Sequence, residues 1–77
     1  MTDQEILHIA CINSYRIIIK QEDWLDIYDE EHNYFAHNPI RNVVDMEIVE
    51  KLLFYFTEIE DYDKCIEIRD YIKARTN

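Results

Sequence analysis

The sequence predicts a mainly α-helical fold, in which an N-terminal helix precedes a C-terminal antiparallel helical hairpin. The 77 residues contain no glycine and a single proline, Pro39, whereas tight β-hairpins usually need glycine or asparagine at positive φ. Two stretches, 46–57 and 62–74, repeat apolar residues at helical spacing. Their short connection favours antiparallel neighbours. A chain of this length is expected to form one small domain, 1–77.

The first helix is expected within residues 1–14. Thr2 and Glu5 have the spacing of a capping box, which predicts that the helix begins directly after Thr2. Apolar residues then share one face until Asn13 falls on that same face. The helix is therefore predicted to end near Asn13 or Ser14.

Residues 15–44 are ambiguous, and a small β-element is one of two interpretations of 15–37. Over 15–20 one set of alternate positions holds Tyr15, Ile17 and Ile19, and isoleucine is β-branched, which fits a strand. The acids and aromatic residues of 22–28 instead fit the first turn and one face of a short helix. Both interpretations stay open, because periodicity does not separate short apolar runs.

Residues 45–75 carry the predicted hairpin. Asp45 is placed to cap its first helix, and Asp61 to cap its second. Phe54 points toward the polar side of the first helix. The apolar arc of the first helix consists of Met46, Ile48, Val49, Leu52, Leu53 and Phe56, and that of the second consists of Tyr62, Cys65, Ile66, Ile68 and Ile72.

Arg69 falls near the centre of the second apolar arc, where an arginine is unusual. Removing the partner of a buried charge costs about 3–5 kcal/mol. Three interpretations follow: the side chain extends so that its head reaches water, it pairs with Glu58 or Glu60, or it contacts a partner protein. Because Arg69 sits on the apolar arc and Lys73 at its edge, Arg69→Ala is expected to destabilise the hairpin more than Lys73→Ala.

The run DYDKCIEIRDYI, residues 61–72, resembles the second helix of the UVR motif. That helix begins with an acid, an aromatic residue and a second acid, continues through small residues, and ends with an aliphatic residue followed by Arg-Asp and soon by Ile. The resemblance extends over roughly 46–75. Ile66 replaces one small residue, and Phe56 and Thr57 stand where the first helix often carries alanines. Bulkier residues at the crossing would widen the hairpin.

The resemblance implies protein–protein binding, since UVR hairpins of UvrB- and UvrC-type excision-repair proteins associate in pairs. We therefore expect a small adaptor or regulatory module that binds a protein partner or a second copy of itself. Trp24 lies within the acidic run and is a further candidate partner-binding residue, because aromatic residues surrounded by charge are typical of interfaces. The candidate partner-binding residues are Leu53, Phe54, Phe56, Tyr62, Ile68, Arg69, Ile72 and Trp24.

The charge suggests a second function. With 17 acids against 8 bases and a net charge of −9, the chain lacks the cations that displace counterions from DNA or RNA, and it is repelled by anionic membranes. The acidic run 22–31 is compatible with an acidic inhibitor or nucleic-acid-mimicking decoy, of the kind that viruses encode, on a basic surface of a nucleic-acid-binding protein. Raised salt would weaken such charge mimicry steeply, whereas hydrophobic docking would tolerate it.

Motifs for chemistry are not found, so no catalytic residue, metal site or cofactor is expected, and the chain is not expected to be an enzyme. His32 and His37 lack the i, i+4 spacing of a helical metal site. Cys11 and Cys65 are interpreted as reduced, buried residues. Neither a signal peptide nor a membrane-spanning stretch is recognised, which predicts a cytoplasmic location.

Overall fold

The computed structural model describes residues 1–30, 32–41 and 44–76, and these form four helices: α1 (Asp3–Ile18), α2 (Trp24–Tyr28), α3 (Met46–Glu58) and α4 (Tyr62–Arg75). These ranges contain no strand, so the predicted mainly α-helical class is confirmed, with its N-terminal helix and C-terminal hairpin. Contacts divide the chain into two compact units, Met1–Val43 and Val44–Asn77. The single domain stays a prediction.

Helix α1 starts where the sequence predicts but ends later. The Thr2 hydroxyl oxygen accepts a hydrogen bond from the Glu5 amide at 3.1 Å, and the Glu5 carboxylate accepts one from the Thr2 amide at 3.4 Å. The expected end near Asn13 or Ser14 is wrong, since the helix continues to Ile18. Both polar side chains are buried and bind other parts of the chain, so they do not stop the helix.

The strand interpretation of 15–37 is therefore wrong for the residues that the structure describes. Residues 15–18 belong to α1, and the alternative helical interpretation of 22–28 corresponds to α2. The Asp23 carboxylate caps α2 by accepting a hydrogen bond from the Leu25 amide at 3.0 Å. The apolar residues that this unit buries are Ala10, Cys11, Tyr15, Ile17, Ile18 and Ile27.

Helices α3 and α4 of the second unit pack on each other as a hairpin. The Asp45 carboxylate caps α3 by accepting from the Ile48 amide at 2.9 Å. Glu60, in the turn between the helices, has a left-handed backbone with φ of 61°. The Asp61 amide donates a hydrogen bond to the Phe56 carbonyl at 2.9 Å. This pattern is typical of helix ends whose left-handed residue is glycine, and here glutamate takes that position. The hairpin buries Val49, Leu52, Phe56, Cys65 and Ile68.

The predicted position of Arg69 inside the buried arc is wrong, because α4 turns a different face toward α3. Cys65 and Ile68 are buried, whereas Arg69 is exposed. The half-buried Lys64 faces the core instead, with its ammonium 5.9 Å from the centre of the Phe56 ring and 2.8 Å from the Asp61 carboxylate. Arg69 consequently needs no internal partner, and it makes no ion pair within the described residues.

Across the described ranges, no helix has both the length and the apolar character that crossing a membrane requires.

Candidate functional site

The hairpin exposes apolar side chains on one face of α4. Tyr62 is 59% exposed and Ile66 is 55% exposed, and Arg69 continues the same line. Residues at i, i+4 and i+7 share one face of a helix. We call Tyr62, Ile66 and Arg69 the α4 stripe. It is apolar at the N-terminal end of the helix and basic at the C-terminal end, where Lys73 follows one turn later.

The other residues predicted to bind a partner lie at different depths. Phe56 and Ile68 are fully buried, so they hold the hairpin together and are unavailable to a partner while it stays folded. Leu53 and Ile72 are half-buried. Phe54 is 69% exposed but lies on the polar face of α3. Trp24 belongs to the other unit, where it is half-buried in α2.

Ile66 is the stripe residue that the partner-binding prediction missed. The sequence placed it with Cys65 and Ile68 in one apolar arc, and on that assumption α3 would cover it. Apolar residues cover more than half of the circumference of α4, so α3 can cover only part of them. The exposed remainder was therefore a signal available from the sequence.

A buried polar cluster joins α1 to residues 32–37, which have no regular secondary structure. The Asn13 side-chain amide donates hydrogen bonds to the carbonyls of His32 at 3.0 Å and Tyr34 at 2.9 Å. The Ser14 hydroxyl oxygen accepts from the Ala36 amide at 2.8 Å. We call these contacts, together with the one between Ser14 and His37, the polar lock.

The contact between Ser14 Oγ and His37 Nδ1, at 2.8 Å, pairs a hydroxyl with an imidazole, as nucleophilic catalysis does. Ser14 is 0% exposed, however, and its oxygen already accepts the Ala36 amide hydrogen. A substrate therefore has no access to this hydroxyl in the folded chain, and the pair serves to connect two segments. No sequence motif predicts this pair, since the two residues are 23 positions apart.

Arg16 forms a clamp with acids on both sides of α2. Its guanidinium donates to the Glu22 carboxylate, with the shortest contact at 2.9 Å, and to the Glu30 carboxylate at 3.0 and 3.1 Å. Hydrogen bonds to Glu30 and then Glu22 raise the Arg16 pKa above its ordinary value. Hydrogen bonding from Arg16 also lowers the Glu30 pKa. Glu22 and Glu30 therefore act within this unit.

The clamp makes the first unit sensitive to acid. Because the folded Glu30 pKa lies below its ordinary value, its stabilising contribution is complete above the unfolded pKa and is lost as pH falls through the folded pKa. We expect Glu30→Gln to flatten the decline of the urea midpoint between about pH 5 and pH 2 relative to wild type. Asp26→Asn, at an exposed acid of α2, is the control. An equal slope for all three proteins would contradict the clamp.

Three acids of the run 22–31 thus already have partners within the chain, since Asp23 caps α2 and Glu22 and Glu30 bind Arg16. Glu31 lies outside the described residues.

The described part of the chain contains no group of three or more metal-ligating side chains. Cys11 and Cys65 are unbridged and buried, and burial raises the pKa of the Cys11 thiol. No protein-family model, curated protein or solved structure matches the chain.

Proposed function

We propose that the chain is a small acidic protein–protein interaction module, with an adaptor or regulatory role, that acts through its UVR-like helical hairpin. The α4 stripe is the binding surface, and its occupant is a protein partner or a second copy of the chain. One observation carries the proposal: two large apolar side chains on a single helix face, Tyr62 and Ile66, are more than half exposed in the folded hairpin.

Clustering distinguishes this surface from ordinary exposure. Single apolar residues on a surface need no explanation, whereas adjacent ones rimmed by polar groups mark interaction sites. Tyrosine and arginine are also among the residues that most often dominate binding energy. Tyr62 and Arg69 supply both at the two ends of the stripe. The resemblance of 46–75 to UVR hairpins, which pair with one another, supports the same face.

The alternative function, an acidic decoy for a nucleic-acid-binding protein, draws less support from the geometry. A mimic of nucleic acid needs an array of carboxylates that are free to meet a basic surface. In the run 22–30, Glu22 and Glu30 share Arg16, and Asp23 caps α2. Only Asp26 and Asp29 of this run are exposed without such a role.

The experiment compares the wild type with Tyr62→Ala/Ile66→Ala. Sedimentation of the pure protein over a range of concentrations detects a second copy, and co-purification followed by mass spectrometry detects another partner. We expect the double variant to weaken whichever complex forms by at least about tenfold, since truncating interface anchors commonly costs more than 1 kcal/mol each. Circular dichroism should show an unchanged helical hairpin, because both side chains lie outside its core.

Leu7→Ala/Ile40→Ala is the matched control, since it also removes two exposed apolar side chains. We expect it to leave the complex intact. The complex should also survive raised salt, because apolar docking is screened far less than charge mimicry. Equal weakening by the two double variants, or loss of the complex in salt, would contradict the proposal.

A further inference from the structure

Helix α2 exposes a second apolar surface, in the unit that does not contain the hairpin. Leu25 is 51% exposed, and Tyr28 is exposed to a similar extent. The half-buried Trp24 meets the Tyr28 ring edge-on, with 5.7 Å between ring centres. Ile27 is fully buried and anchors the helix from its other side. We call Trp24, Leu25 and Tyr28, which lie on adjacent positions of the helix circumference, the α2 face.

The surroundings of the α2 face are strongly negative. Residues 21–30 contain five acids and neither lysine nor arginine. Arg16 joins two of these carboxylates, and one cation neutralises one charge, so an excess of acid is left around the face. Asp26 directly follows Leu25 along the chain and Asp29 directly follows Tyr28, and both acids are exposed. An apolar patch in such a field discriminates between partners by the sign of their charge.

We infer that the α2 face binds a basic amphipathic segment of a partner protein, in which lysine or arginine residues accompany aliphatic ones. The aliphatic side chains would pack on Leu25, and the cations would meet the exposed acids and the faces of the aromatic rings. Nucleic acids and anionic membranes carry the wrong charge. A second copy would bring the same acids into contact with each other. A neutral apolar segment would bury the acids around the α2 face without compensating their charge.

This surface shares no residue with the α4 stripe, so the inference does not depend on the proposed function. It would give the chain two docking surfaces of different chemistry: the stripe, apolar and basic, and the α2 face, apolar and acidic.

Trp24, the only tryptophan of the chain, reports on this site directly. The probe is a synthetic helical peptide of lysine and leucine with its leucines on one face. A scrambled peptide of the same composition and a peptide with glutamate in place of lysine are its controls. We expect the amphipathic basic peptide to change the Trp24 emission saturably, the scrambled one to bind about tenfold more weakly, and the acidic one not to bind.

Two pairs of variants test where the peptide binds. Leu25→Ala should weaken binding about tenfold, whereas Leu7→Ala, at a leucine that is 50% exposed on α1, should change it less than about twofold. Asp26→Asn/Asp29→Asn should weaken binding about tenfold, whereas Asp63→Asn/Asp70→Asn makes the same change in net charge on α4 and should have little effect. These substitutions leave the Asp23 cap and the Arg16 clamp intact.

Several outcomes would overturn the inference. Equal effects of the two charge variants would mean that the peptide responds only to net charge. Equal binding of the scrambled peptide would mean that the apolar face is not used. An emission change that follows protein concentration without peptide would identify a second copy as the occupant. None of these outcomes bears on the α4 stripe, whose test uses Tyr62 and Ile66.

Discussion

Replacing Phe56 by alanine is expected to lower the free energy of unfolding by about 3–5 kcal/mol. The ring is fully buried, it meets the Tyr55 ring edge-on with 5.3 Å between centres, and the Lys64 ammonium lies over it. Alanine would lose these contacts and leave a cavity in the hairpin. Since small domains are stable by only about 5–15 kcal/mol, we expect a large fall in the urea midpoint, measured by circular dichroism.

Phe54→Ala is the matched control, because it removes the same side chain from the same helix two residues earlier. Phe54 lies on the exposed face of α3, and surface substitutions of this kind change stability by about 0.5 kcal/mol or less. Similar losses for the two variants would show that α3 does not bury the face described here, and the hairpin would then require a different packing.

The buried face of α3 could be predicted from the sequence because its apolar and polar residues separate cleanly. Val49, Leu52 and Phe56 share one face, and Phe54 lies among charged residues on the other. In α4 the apolar residues extend farther around the helix, so the periodicity did not determine which part would meet α3. The choice depends on packing, in which Lys64 lies against Phe56.

Arg69 shows the consequence of that ambiguity. The sequence predicted that Arg69→Ala would destabilise the hairpin more than Lys73→Ala. Both residues are exposed, and we now expect the two variants to differ by no more than about 0.5 kcal/mol. In the proposed function, Arg69 therefore contributes through its place on the α4 stripe and not by holding the hairpin together.

The first unit was harder to predict because long-range polar contacts determine its structure. Asn13 and Ser14 have little preference for helix interiors, since their side chains compete for backbone hydrogen bonds. Here those side chains bind residues 32–37 instead, which lets α1 continue. The capping signals of Thr2 and Asp45 were correctly predicted because their partners lie three residues away. The predicted cap at Asp61 is wrong, because its carboxylate makes no capping hydrogen bond to α4 and binds the Lys64 ammonium instead.

Removing the Asn13 side chain is expected to destabilise the first unit by about 1–3 kcal/mol, the cost of leaving buried polar groups without partners. Its amide supplies hydrogen bonds to two carbonyls, those of His32 and Tyr34. Urea unfolding of Asn13→Ala, followed through the fluorescence of Trp24 in the same unit, measures the loss.

Asn13→Asp tests whether donation by the amide, rather than the volume of the side chain, holds the lock. The new carboxylate would have nearly the shape of asparagine but would face two carbonyl oxygens without a hydrogen to donate, so at neutral pH this variant should be less stable than Asn13→Ala. Such an environment raises the pKa of a buried carboxyl. The folded state then binds more protons than the unfolded state, and stability relative to wild type should recover as pH falls toward 4, roughly the unfolded pKa. Asn13→Ala should show no such recovery. An aspartate variant as stable as wild type at pH 7 would mean that Asn13 does not donate these hydrogen bonds, and the continuation of α1 to Ile18 would need another cause.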